Sequence, residues 1–156
     1  MANSNRVVPR VERMANCTIV HFVSATWDDL TPWFDQRAAR VEPRRWNFPE
    51  PLDPLLFVEA YEDHRAEFEP EDLGRLRQLL GGELSCAVGL QLRSVKGNHS
   101  CEAAIDLTRR LLREFSGVAD DTFAEDYWTL AEIEAGVVKP YGRFLDYYRQ
   151  GFQECD

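Results

Sequence analysis

The chain has 156 residues, of which 44% are hydrophobic and 29% are charged. This length is typical of a single domain with a real core, and the apolar content excludes a largely disordered chain. The net charge of −9 disfavours binding to nucleic-acid phosphates or to an anionic membrane surface.

The first residues carry arginines without hydrophobic periodicity. We therefore predict a disordered tail over residues 1–13 and a single α+β domain over residues 14–156, with Met14 as an alternative start. The N-terminal residues lack an apolar signal segment, and no apolar run approaches about 20 residues. These features favour a cytoplasmic protein with reduced thiols. The four cysteines have no zinc-ligand spacing, so no metal site is predicted from them.

In the first part of the chain, alternating apolar residues predict a strand over residues 17–24. Thr31 and Pro32 form a helix-start signal, and the helix is predicted to end at Glu42-Pro43. Residues 43–54 contain four prolines, which excludes a helix or a central strand and predicts a loop.

Two aromatic residues, Trp46 and Phe48, stand out in this proline-rich segment. We interpret them as anchors that hold the loop against the core. The alternative is that they form a partner or ligand surface together with Arg44 and Arg45, because positioned loops often carry binding residues.

The remaining elements follow from periodicity. The sequence predicts a strand over residues 55–61, a helix over residues 70–80 and a strand over residues 84–92. Next comes an amphipathic helix capped by Asn98 or Ser100, with Gly117 as its C-cap residue. The sequence then predicts a strand over residues 127–133, a loop over residues 134–140 and a last helix with an apolar stripe from Tyr141 to Phe152. The stripe is predicted to pack on the domain's own core.

This order predicts a four-stranded, ferredoxin-like mixed sheet with helices packed mainly on one face. If the two strands that flank the long helix are neighbours, they run parallel through a right-handed crossover. The alternative is an α/β fold with a more fully parallel sheet, in which the helix over residues 70–80 is itself a crossover.

Negative charge is concentrated in two segments. Residues 50–83 carry ten acids and three arginines, a net charge of −7, and residues 118–156 carry nine acids and three bases, a net charge of −6. One cluster contains Glu59, Glu62, Asp63 and Glu67 around His64, and the other contains Asp120, Asp121, Glu125 and Asp126. Solvated turns explain both clusters. The sharper hypotheses are recognition of a basic partner, or metal binding and acid–base chemistry.

Catalytic motifs give no support for a particular enzyme. The serines lack a nucleophile elbow, Gly81-Gly82 lacks the spacing of a phosphate loop, and His21 within a strand is typical of a core histidine. We predict no cofactor and favour a protein without enzymatic activity.

The sequence therefore predicts a non-enzymatic, acidic binding protein that engages a protein partner. Its size and charge are similar in physical profile to those of small bacterial toxin-immunity proteins. The predicted partner-binding residues are Glu62, Asp63, Glu67, Asp120, Asp121, Trp46 and Phe48. The alternative is a small-molecule or metal-dependent enzyme with a histidine–carboxylate pocket built from His64 with Glu62 and Glu67, or from His21 alone. A homodimer is a further hypothesis.

Overall fold

A computed structural model describes residues 18–61, 70–81, 85–121, 126–140 and 142–151. The predicted tail over residues 1–13 lies outside these ranges. The described residues form one sheet whose strands are β1 (Thr18–Val23), β2 (Ala39–Glu42), β3 (Arg45–Phe48), β4 (Leu56–Ala60), β5 (Cys86–Leu92), β6 (Gly117–Asp121) and β7 (Asp126–Trp128). The helices are α1 (Trp27–Asp35), α2 (Pro70–Leu80), α3 (Asn98–Glu114), α4 (Leu130–Ala135) and α5 (Asp146–Gly151), with a 3₁₀ turn at Ser94–Lys96.

The seven strands pair in the order β2-β3-β4-β5-β1-β6-β7, and every neighbouring pair is antiparallel. The predicted four-stranded ferredoxin-like sheet is therefore wrong, and so is the alternative of a parallel sheet. The crossover prediction fails for a specific reason. The strand found in the predicted segment 127–133 is β7; β1 and β6 lie between β5 and β7, and β7 runs opposite to β5.

The proline-rich segment contains a strand that the sequence analysis excluded. Strand β3 lies between Pro43 and Pro49, so its four residues keep their backbone N–H groups and pair with β2 and β4. Strand β2 likewise occupies residues that were predicted as the end of a helix. Helix α1 instead ends at Asp35, and it begins earlier than predicted, after Thr26.

The sheet separates two hydrophobic clusters, because successive residues of β1 point to opposite faces. Ile19 and Val23 belong to the large core, in which α1, α3, α4 and α5 contribute buried residues. Val20 and Phe22 belong to a smaller cluster on the other face, where Leu76 of α2 is fully buried. The molecule thus has helices on both faces, with the larger core under α3.

The end of the chain differs from its prediction in two places. The predicted strand over residues 127–133 is a short β7 followed by α4, whose N-terminus is a capping box in which Thr129 and Glu132 bond each other's backbone N–H groups. The last helix is short, but Phe144, Leu145 and Tyr148 are buried in the large core, as predicted for its stripe. Tyr141 and Phe152 lie outside the described residues.

Gly117 begins β6 instead of capping α3. A Cβ atom at this position would lie 2.5 Å from the carbonyl oxygen of Phe22 and 2.7 Å from a side-chain carbon of Val23. Close approach to β1 therefore requires glycine here. The predicted caps of α3 are also wrong, since its N-cap residue is Gly97. The Ser100 hydroxyl instead accepts from the Arg93 N–H and donates to the Leu55 carbonyl.

Candidate functional site

The first predicted partner-binding cluster lies mostly outside the described residues. Glu62, Asp63 and Glu67, together with His64, fall in the segment that the structure does not describe. Glu59 is exposed on β4, with its carboxylate 3.7 Å from the Arg45 guanidinium. The assignment of Glu62, Asp63 and Glu67 as partner-binding residues stays a prediction.

The second cluster is described in part. Asp120 is half-buried on β6, beside Val20 of β1 and Tyr127 of β7, and it has a polar or ionic partner of its own. The backbone of Asp121 extends the same strand. Asp120 thus lies on the face of the sheet that carries the smaller hydrophobic cluster, near the edge of that cluster.

Trp46 and Phe48, the two aromatic residues predicted to contact a partner, lie in the core. Trp46 is 1% exposed and Phe48 is 8% exposed. The Trp46 ring stacks on Trp27 at a centroid distance of 6.2 Å, and its Nε1 donates to an Asp35 carboxylate oxygen at 2.9 Å. Burial supports the interpretation of these aromatics as core anchors, and it leaves their role as partner contacts without support.

His21 lies on β1 between Ile19 and Val23, on the face of the sheet that carries the large core. Its side chain is fully buried, and its Nε2 lies 2.7 Å from the Thr108 hydroxyl oxygen, which is also fully buried on α3. Burial lowers the pKa of His21 to about 4, against weaker opposing effects from the backbone of Val88 and Ile19. The imidazole is therefore neutral at physiological pH and has no solvent access for chemistry with a substrate.

A shallow cleft opens where α1 begins. This tryptophan cleft is lined by Thr26, Trp27, Asp28, Arg44, Ser85 and Cys86 and has a volume of about 340 Å³. The Arg44 guanidinium carbon lies 5.3 Å from the centroid of the Trp27 ring. Arg44, one of the four residues proposed as a loop surface, thus lines this cleft, and Trp46 packs against Trp27, another lining residue.

A second cleft lies between α3, α4 and α5. This arginine cleft is lined by Arg109, Arg143, Arg149, Glu134, Asp146 and Phe144, among others, and has a volume of about 210 Å³. Its arginines come from distant parts of the chain, and the sequence analysis did not single them out. No local spacing could have identified them, because the sheet order and the docking of the last residues create the cleft.

Neither described cysteine has the character of a nucleophile. Burial raises the pKa of the Cys101 thiol to about 12 and also raises that of Cys86, although Arg44 opposes the second shift. Within the described part of the chain, no group of three histidine, cysteine, aspartate or glutamate side chains is placed to hold a metal ion. The same residues contain no helix that is long and apolar enough to cross a bilayer.

We expect both thiols to resist alkylation in the folded protein. At pH 8, iodoacetamide should label Cys101 and Cys86 at least tenfold more slowly than it labels them in denaturant, because the thiolate is disfavoured and access is blocked. Peptide mapping by mass spectrometry at timed intervals measures both rates. Cys86, at 6% exposure, should react before the fully buried Cys101. Equal labelling of Cys101 in the folded and unfolded chain would contradict its burial.

Comparisons with known proteins returned no relatives. No protein-family model, no curated protein and no solved structure matches the chain. Functional inference therefore depends on the residues and their arrangement.

Proposed function

We propose that this chain is a non-enzymatic binding protein that engages a basic protein partner. The observation that carries the proposal is the net charge of −9, with the negative charge concentrated in residues 50–83 and residues 118–156. In the described part, Glu50, Glu71, Glu102 and Glu114 are exposed and make no ion pair. These four carboxylates are part of the net charge of −9 and contribute to the negative field around the molecule, but they are not among the predicted partner-binding residues.

Several basic residues of the described part add little to the opposing field, because they pair with carboxylates of the protein itself. Arg40 pairs with Asp35, Arg110 pairs with Asp106 at 3.1 Å, and Lys139 pairs with Glu132 at 3.3 Å. Such a charge distribution steers a basic partner toward the protein and raises the rate of association more than it raises intrinsic affinity. Proteins that must capture a toxin quickly benefit from this property, which fits the physical profile of an immunity protein.

The proposal predicts capture that weakens with salt and depends on particular acids. Full-length protein is immobilised, and bound proteins from a lysate of the source organism are identified at low and at about 0.5 M salt. A cluster variant (Glu62→Gln, Asp63→Asn, Asp120→Asn, Asp121→Asn) is compared with a control variant (Glu50→Gln, Glu71→Gln, Glu102→Gln, Glu114→Gln). Both variants change the net charge by +4, from −9 to −5.

We expect a basic partner that is retained by the wild type at low salt and released at high salt. The cluster variant should retain much less of it than the control variant, because rim charges act most strongly close to the interface. Equal loss in both variants would assign binding to the overall charge and would refute the predicted cluster. If no captured protein shows salt-dependent retention, the proposed function fails.

The enzyme alternative has no observation in its favour among the described residues. His21 is enclosed in the core, and the group of His64, Glu62 and Glu67 lies outside the described ranges. We therefore propose a single function, and the homodimer hypothesis stays a prediction for measurements of molecular mass in solution.

A further inference from the structure

Three arginines meet at one cleft of a protein that is otherwise acidic. Arg109 projects from α3, Arg143 precedes α5, and Arg149 lies within α5. Three like charges that share a cleft of about 210 Å³ repel one another unless anions lie among them. Their convergence therefore requires an explanation.

The described residues supply no ion-pair partner to any of the three. Within the described residues, Arg109, Arg143 and Arg149 form no salt bridge, whereas the neighbouring Arg110 and Arg113 are paired with Asp106 and Glu134. The Nε atom of Arg109 is buried and has no hydrogen-bond partner in the described part. A buried donor without a partner is costly, which indicates that something else satisfies it.

The two carboxylates at the cleft are already occupied. Glu134 accepts a hydrogen bond from the Arg113 guanidinium at 3.2 Å. Asp146 accepts one from the backbone N–H of Arg143 at 2.8 Å, close to the start of α5. Neither carboxylate lies within ion-pair distance of the three cleft arginines, so a positive charge remains available at the cleft.

We propose that the arginine cleft binds a small free oxyanion, of the carboxylate or phosphate class. Guanidinium groups bind both classes through paired, charge-assisted hydrogen bonds. The volume is below the range of about 300–1,000 Å³ that is usual for drug-sized ligands, so the cleft suits a small anion. Phe144 supplies an apolar wall for the carbon atoms of an organic acid. This ligand is opposite in charge to the proposed basic partner, so the site is independent of the proposed function.

Calorimetric titration of the full-length protein tests this site. Inorganic phosphate and succinate are titrated separately, with sodium chloride keeping the ionic strength constant. Arg109→Gln and Arg149→Gln remove cleft charges, and Arg110→Gln is the matched control, since it removes an arginine of the same helix that points away and pairs with Asp106. Circular dichroism confirms that each variant is folded, and the exposed Arg149 provides the test if Arg109→Gln does not fold.

We expect saturable one-to-one binding of at least one anion to the wild type and to Arg110→Gln. Binding should be at least tenfold weaker in Arg149→Gln and Arg109→Gln, because each loses a charge-assisted hydrogen bond. Binding of phosphate alone, of succinate alone or of both identifies the class of ligand. The absence of saturable binding, or equal affinity in all four proteins, would overturn the proposal.

Discussion

Replacing Trp46 by alanine should destabilise the protein by about 3–5 kcal/mol, the range for removal of a large aromatic side chain from a core. Trp46 is 1% exposed; its ring stacks on Trp27 at a centroid distance of 6.2 Å and packs at a tilt against Phe34 at 5.0 Å. The substitution leaves a cavity where β3 meets α1, and it leaves Asp35 without the indole donor. Equilibrium unfolding in urea measures the change.

Two further variants separate the contributions of packing and hydrogen bonding. Trp46→Phe keeps an aromatic ring but loses the bond to Asp35, and we expect it to cost less than half as much as alanine. Val95→Ala, at a side chain that is 72% exposed, should change the free energy of unfolding by less than about 0.5 kcal/mol. A loss below about 1 kcal/mol for Trp46→Ala would show that β3 is not part of the core.

The buried His21 should make the protein lose stability as the pH falls from about 6.5 to 4. The pKa of His21 is lowered from 6.5 to about 4 by burial, so the unfolded chain binds this proton more strongly than the folded chain within that range. The free energy of unfolding therefore rises with pH there, and the full stabilisation is present above pH 6.5. This shift in the pKa of His21 corresponds to about 3 kcal/mol in the free energy of unfolding.

The comparison variant is His21→Gln, which keeps a polar group near Thr108 but does not titrate. Urea unfolding at pH 7, 6, 5 and 4 measures the slope for each protein. Carboxylates contribute equally to both slopes, so the wild type should lose about 3 kcal/mol more than His21→Gln across the series. His99→Gln, which changes an exposed histidine at the start of α3, should follow the wild type. Parallel curves for wild type and His21→Gln would contradict the burial of a neutral imidazole.

The elements that the sequence predicted well are those with long periodic patterns. Strand β5 shows strict alternation over seven residues, and α3 repeats its apolar positions over 17 residues. Pro70 indicates the start of helix α2, and the bounds of this helix agree with the prediction. In these cases local propensity and burial point to the same structure.

The strands that were missed are short, and their neighbours determine them. Strands β2 and β3 have four residues each, too few for alternation to distinguish a strand from a helix end or a loop. Strand β6 follows α3 with a glycine and two acids, which resembles a turn. Thr129 and Glu132 did offer a local signal, the capping box of α4, which the aromatic residues before it obscured. The sheet order depends on β1 pairing between β5 and β6, which no local pattern encodes.

Prediction of candidate sites was limited by the same lack of long-range information. Composition and charge identified an acidic protein, and aromatic residues identified a segment that does contact α1. The arginine cleft could not be predicted, because Arg109 and Arg143 become neighbours only after α3 and the last residues pack together. Single residues in a helix give no indication that their charges will remain unpaired.

The most direct test of the proposed function is the association rate of the wild type with the captured basic partner as a function of ionic strength. Steered association should be at least tenfold faster at about 20 mM than at about 300 mM salt, with a much smaller change in the dissociation rate. The variant with Glu62, Asp63, Asp120 and Asp121 neutralised should show a flatter dependence than the control variant of equal net charge. An association rate that is independent of salt, in the wild type as in the variants, would contradict recognition through acidic residues.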